Sequence, residues 1–262
     1  DVTQGGDTPV TARGVCWSTS PNPTLSDSHT IDGSGTGSFE SNLTDLTPET
    51  TYYVRAYAIN AAGSAYGNQV DFTTLGPCSG VTPPPGFGVV SSSGKCWLDR
   101  NLGANRVAQS STDAEAYGDL YQWGRLTDGH QNRTSGTTTT LSNGDVPGHG
   151  NFITVNSSPF DWRSPQSNNL WQGVSGTNNP CPGGYRLPTD AEWEAERQSW
   201  SSNNAAGAFN SPLKLPIAGF RGADGWLYDV GVCGRYWSAT VGGTLARYLY
   251  FDSSNAGMYY HY

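Results

Sequence analysis

The sequence predicts a β-rich protein in two parts, an all-β sandwich followed by an α+β domain. Three observations carry this. There are 34 glycines and 16 prolines among 262 residues, so elements must be short and turns frequent. Residues 51–58 alternate, with Tyr52, Val54, Ala56 and Ala58 on one side and Tyr53, Arg55 and Tyr57 on the other, which is the period of a strand. Thr189-Asp190-Ala191-Glu192, preceded by Pro188, is a capping box and opens the best helix in the chain.

The two parts meet near residue 76. Residues 1–75 hold eight acidic and two basic residues, against fourteen and twelve in residues 76–262, and eight of the nine tryptophans lie in the second part. The stretch 76–89, with Gly76-Pro77 and Pro83-Pro84-Pro85-Gly86, reads as a stiff linker between domains at 1–75 and 90–262. In the first domain, strands are predicted at 10–17, 38–43, 51–58 and 69–74, separated by Pro-, Ser- and Gly-rich turns. In the second, a strand at 95–99 enters a loop, and Thr112-x-x-Glu115 offers a cap for one helical turn. Residues 130–151 are polar and read as a long surface excursion. The helix after Thr189 runs to about Trp200 with Trp193, Arg197 and Trp200 on one face, and short strands follow at 214–220, 235–240, 247–251 and the last residues.

Composition excludes several functions. The net charge is −8 and only Lys95 and Lys214 are lysines, so no basic stripe exists for nucleic acid and no polybasic patch for an anionic membrane. No apolar run is long enough to insert in a bilayer. Asp1 opens on polar sequence, so a leader peptide is expected to have been removed or to lie outside this chain. No C-x-x-C, H-E-x-x-H or G-x-S-x-G motif occurs. Gly33-x-Gly35-x-Gly37 sits between short strands and reads as a hairpin or loop, not a dinucleotide turn. His130 and His149 flank the polar excursion as a weak metal pair. Asp190, Glu192, Glu194 and Glu196 read as capping of a helix N-terminus plus a solvated face, with Asp190 and Glu194 as an i, i+4 carboxylate pair the alternative. Trp162, Trp171, Trp226 and Tyr228 lie in polar, loop-like context and form the candidate binding surface for sugar rings or a neighbouring subunit. Five cysteines leave at least one unpaired. Cys78 and Cys96 enclose a short loop and are the first predicted disulfide, which fits an oxidising compartment, and Cys16 in a strand is expected to be free and buried.

Several ordered motifs carry a family resemblance. They are Cys96-Trp97-Leu98-Asp99-Arg100-Asn101-Leu102-Gly103, Tyr117-Gly118-Asp119-Leu120-Tyr121-Gln122-Trp123-Gly124-Arg125, and Cys181-Pro182-Gly183-Gly184-Tyr185-Arg186-Leu187-Pro188-Thr189-Asp190-Ala191-Glu192-Trp193, followed by Leu215-Pro216-Ile217-Ala218-Gly219-Phe220-Arg221 and Tyr236-Trp237-Ser238-Ala239-Thr240. Together they resemble the Fibrobacter succinogenes major paralogous domain of Bacteroidetes surface proteins, over residues 90–262. The Arg-Leu-Pro-Thr-x-Ala-Glu-Trp run is also similar to the formylglycine-generating enzyme superfamily, which implies a C-type-lectin-like fold. Residues 9–74 resemble a bacterial fibronectin type III-like repeat, through Arg13-Gly14-Val15-Cys16-Trp17-Ser18 and Leu46-Thr47-Pro48 followed by Thr50-Thr51-Tyr52-Tyr53-Val54-Arg55-Ala56-Tyr57.

The resemblance implies a secreted or cell-surface protein, an immunoglobulin/fibronectin-like module carrying a lectin-like domain, with no catalytic residues. Its partners are expected to be copies of itself or other surface proteins in a filament or larger assembly, with glycans the alternative. The resemblance also implies a further strand at each end, supplied by a longer chain or by neighbouring copies. Cys181 resembles a family cysteine facing such a strand, and Cys181–Cys233 is the second predicted disulfide. No cofactor is required. Calcium is the one candidate, with Asp224, Asp229 and Asp252 as its loose carboxylate set.

Overall fold

The computed structural model describes residues 1–261 and divides into two compact units, the first Asp1–Ser79 and the second from Gly80 onward. The boundary falls inside the Pro- and Gly-rich stretch 76–89. The described residues are mostly β and loop, with two short α-helices and one 3-10 turn.

The first unit is built on one antiparallel sheet of five strands, β1 (Ala12–Ser18), β2 (Ser28–His29), β3 (Thr51–Asn60), β4 (Gly63–Tyr66) and β5 (Val70–Thr73). β3 is its spine. It pairs along its length with β1, from Ala12 opposite Ile59 to Ser18 opposite Tyr53, while β4 and β5 share its other side. Val2, Val10, Cys16, Tyr52 and Tyr57 are the buried apolar residues. Gly14 stands opposite Tyr57, and a Cβ there would meet the Thr30 carbonyl oxygen at 2.3 Å. The missing side chain lets that carbonyl accept from the Tyr57 hydroxyl at 2.5 Å.

Two sequence expectations for this unit need correction. Residues 38–43 form no strand, so the described residues of this unit hold one hydrogen-bonded sheet rather than two. The segment's nearest ladder contact is an isolated bridge between Val2 and Gly37. A strand needs a neighbour's backbone, and here the adjacent carbonyl of Thr36 is taken by Arg13 Nη1 at 2.8 Å while the Arg13 guanidinium covers the Phe39 ring at 5.3 Å. β4, three small residues and Tyr66, was not predicted; its pairing with β3 makes it a strand.

The second unit opens with the hairpin β6 (Val89–Ser92) and β7 (Lys95–Leu98). A 3-10 turn follows at Ala114–Ala116, capped by Asp113 and not by the predicted Thr112. Asp113 wins because its carboxylate also accepts two bonds from Arg106, at 2.8 and 3.1 Å. β8 (Thr137–Thr138) and β9 (Phe152–Ile153) form a short parallel pair. Then come α1 (Asp190–Gln198), α2 (Ala205–Asn210), the hairpin β10 (Phe220–Arg221) with β11 (Leu227–Tyr228), and the sheet β12 (Gly234–Gly242), β13 (Leu245–Phe251) and β14 (Ala256–His261).

The helix at Thr189 forms as the sequence predicts. The Thr189 hydroxyl accepts from Glu192 N at 3.2 Å, and the Glu192 carboxylate accepts from Thr189 N at 2.8 Å. Arg186 grips the same carboxylate at 2.7 and 2.8 Å and holds it down to about 2. Arg247 on β13 donates to Asp190 at 2.8 Å, tying the helix start to the sheet. The core below holds Trp193, Trp200, Leu249 and Phe251. Trp200 lies beyond the helix cap Ser199, yet is buried and donates to the buried Glu196 at 3.1 Å.

Tryptophans staple this unit. Seven of the nine in the chain donate their indole N–H to a protein oxygen: Trp97 to Ser92, Trp123 to Ser238, Trp162 to Trp123, Trp171 to Arg125, Trp193 to Trp237, Trp200 to Glu196 and Trp237 to Tyr121. Six of these acceptors are backbone carbonyls. Where the β12–β13 register slips between Trp237 and Val241, the carbonyls of Trp237, Ser238 and Ala239 accept from Trp193, Trp123 and Gln172 in turn. The indole combines a large apolar body with one donor, so it fills the core and bonds a carbonyl there.

Candidate functional site

The terminal sheet has two unlike faces. Tyr236, Leu249, Phe251 and Met258 turn toward α1 and its core. On the opposite face the register sets Arg235 beside Tyr250, Trp237 beside Tyr248, and Tyr248 beside Tyr259. This aromatic face borders a cleft of about 330 Å³, whose walls also include Trp123, Trp162, Phe220 and Asp161.

Arg235 is the unusual residue of this face. Its guanidinium lies 3.5 Å above the Phe220 ring and within 5.5 and 5.8 Å of Tyr248 and Tyr250. Phe220 is itself stacked on Tyr228, with ring centres 5.4 Å apart. The column joins the cleft to the β10–β11 hairpin. Sequence reading did not single out Arg235 or Phe220. The available signal was the alternation Arg235-x-Trp237 facing Tyr248-x-Tyr250, which marks one face of a pleated sheet.

Beyond that hairpin the surface is apolar. Trp226 is 72% exposed, Val232 is 59% exposed, and Leu227, Tyr228 and Val230 are exposed between them. Trp226 makes no indole hydrogen bond among the described residues, unlike the other seven tryptophans of its unit. Asp224 in the hairpin turn organises the base of this ridge. It accepts from the Tyr228 hydroxyl at 2.6 Å and from Trp226 N at 3.1 Å. The Tyr228 hydroxyl, above all, holds the Asp224 carboxyl below its ordinary range.

The four predicted binding aromatics therefore separate. Trp226 and Tyr228 are on the surface together. Trp162 and Trp171 are core residues, 3% and 0% exposed. Their sequence context is polar because they sit in loops, but those loops fold inward over Ile153, Leu170 and Leu187.

The calcium carboxylates do not converge either. Asp224 is occupied as described. Asp252 closes the β13–β14 turn, accepting from Ser254 N at 2.7 Å and Asn255 N at 2.9 Å, and these bonds lower its carboxyl. The Asp229 carboxylate lies 3.9 Å from the Cys233 thiol. Among the described residues no group of three or more His, Cys, Asp or Glu is placed to hold a metal ion.

Cys78 and Cys96 are disulfide-bonded, as predicted, and Cys16 is free and buried. The second predicted pair is wrong, since Cys181 and Cys233 are both free. Cys181 packs against the Trp171 cluster, and burial pushes its thiol up to about 12. Cys233 is buried at the start of β12 beside Asp229 and Arg235, and burial raises it too. Two separate packing environments, not spacing along the chain, decide that pairing.

The polar excursion at 130–151 is anchored at its root. Arg125, fully buried, donates to Asp128 at 2.9 Å, to the Asn151 carbonyl at 2.9 Å and to the His149 carbonyl at 2.7 Å. His130, also fully buried, shares 2.7 Å with Asp128 through Nδ1 and accepts from Gln122 N through Nε2 at 3.1 Å. Burial pushes its imidazole down to about 4, so it is a neutral hydrogen-bonding strut. His130 and His149 thus meet through Arg125 and Asp128.

Comparison with protein-family models, with curated proteins and with solved structures found no match. No helix among the described residues is long and apolar enough to cross a membrane.

Proposed function

We propose that this is an extracellular, non-enzymatic surface protein, an adhesive or structural subunit of a larger assembly. In this reading an immunoglobulin/fibronectin-like unit carries a C-type-lectin-like unit, and the contacts are made to copies of itself or to other surface proteins. The observation that carries it is the apolar ridge from Trp226 to Val232. Exposed contiguous apolar side chains are uncommon on soluble monomers and mark interaction surfaces. A second feature supports assembly by strand addition. β14 lies at the edge of its sheet, with no strand on its outer side among the described residues, and it carries no Lys, Glu or Pro to block one.

The test is sedimentation velocity over a wide concentration range, alongside electron microscopy of native surface material. Self-association or filaments are expected, weakened in Trp226→Ser, with thermal stability unchanged to within about 0.5 kcal/mol because the side chain is exposed. A chain that stays monomeric and is absent from native assemblies overturns the proposal. The alternative is a carbohydrate-binding module, which the exposed Trp226 ring beside the Tyr228–Asp224 pair favours. Retention on glycan arrays without self-association would select it.

A further inference from the structure

We propose that Arg235 is the anchor of a second binding site, in the cleft of the terminal sheet, for small ligands carrying a carboxylate on a ring. This stands apart from the ridge and does not depend on the assembly reading.

The inference starts from what the guanidinium has and lacks. Its faces are satisfied by Phe220, Tyr248 and Tyr250. Stacking of this kind fixes the plane of the group and leaves its N–H donors pointing outward in that plane. Among the described residues Arg235 makes no hydrogen bond to oxygen and no ion pair, and its Nε is buried without a partner. The neighbouring Cys233 thiol is only a weak acceptor.

The other arginines on the same cleft differ. Arg100 is paired with Asp99, and Arg186 with Glu192. Arg221 donates to Ser135 and to the Gly225 carbonyl. Arg235 is the one cleft arginine with no oxygen acceptor among the described residues, its only side-chain hydrogen-bond partner being the Cys233 thiol. A half-buried cation without an acceptor is costly to fold around, so an acceptor from outside is favoured there.

The walls indicate what that acceptor carries. A planar fork of donors matches a carboxylate in two-point fashion. Trp123 and Trp237, both partly exposed, border the same cleft and offer apolar ring surface to the body of the ligand. A small ring acid, sugar or aromatic, combines these features. Asp119 and Asp161 also line the cleft, and burial raises both carboxyls above their ordinary range.

The test uses the full chain with four probes: glucuronate, benzoate, and their uncharged counterparts glucose and benzyl alcohol. Binding is read by calorimetry and by intrinsic fluorescence, because Trp123 and Trp237 border the cleft. The acids are expected to bind at least about tenfold more tightly than the uncharged probes, the size of one charged hydrogen bond. Arg235→Met keeps much of the stem and should lose that preference, whereas Arg235→Lys keeps charge without the fork and should retain part of it. Trp226→Ser should bind as the parent does. Equal binding of acids and uncharged probes, or acid binding unchanged in Arg235→Met, overturns the site. Should Arg235→Met fail to fold, the four probes on the unaltered protein decide alone, and no binding of either acid also overturns it.

Discussion

The two units reach order by different means. In the first, β3 is laddered on both sides, and few side chains are needed to complete the core. In the second, strands are short and loops long, and indole donors take over work that a ladder performs elsewhere. The comparison teaches that a loop-rich domain can satisfy its carbonyls if its core residues carry donors. It also explains why eight of nine tryptophans lie in one part of the chain, and why Trp226, which staples nothing, stands out.

The largest break in this comparison should come from Trp193. Trp193→Ala removes a core ring and its indole bond to the Trp237 carbonyl, and is expected to cost about 3–5 kcal/mol in denaturant unfolding. The first unit should be spared, so two transitions should separate. A single concerted loss would overturn the idea of independent means.

Next in size is an acid transition seated in the second unit. The folded His130 titrates about 4, below its ordinary 6.5, so stability is complete above pH 6.5 and falls as pH drops from there toward 4. The loss should reach at most about 3 kcal/mol. Glu192, held down to about 2 by Arg186, adds a second loss as pH falls from 4.5 toward 2. His130→Gln should be less stable at neutral pH but flatter between pH 6.5 and 4; an unchanged slope would remove His130 from the account.

Smaller effects sharpen the contrast locally. Thr189→Ala breaks the capping box and should cost about 1 kcal/mol. Tyr57→Phe in the first unit loses one hydroxyl bond to Thr30 and should cost about as much. Thermal melts of both proteins should report comparable small shifts, each in its own unit. Without energetic effect but decisive for connectivity, alkylation of the unfolded chain should label three thiols before reduction and five after it.

Much of the local structure was legible in the residues. The capping box at Thr189, the alternation of β3, the Cys78–Cys96 bond and the buried Cys16 all follow from signals a few residues long or from short loop closure. Such signals act through neighbouring backbone groups, so no distant partner is needed to read them. Tertiary structure alone decided the rest. Residues 38–43 have a strand-like pattern but no available ladder, Asp113 displaced Thr112 as a cap through Arg106, and Cys181 and Cys233 lie in separate environments. Trp162, Trp171 and Trp226 look alike in sequence, each in polar loop surroundings. Two are buried and one is exposed, because a loop residue's burial is set by what folds over it from elsewhere in the chain. Arg235 belongs to the same class. Its cage comes from β10 and β13, and only the packed sheet brings it to the border of a cleft.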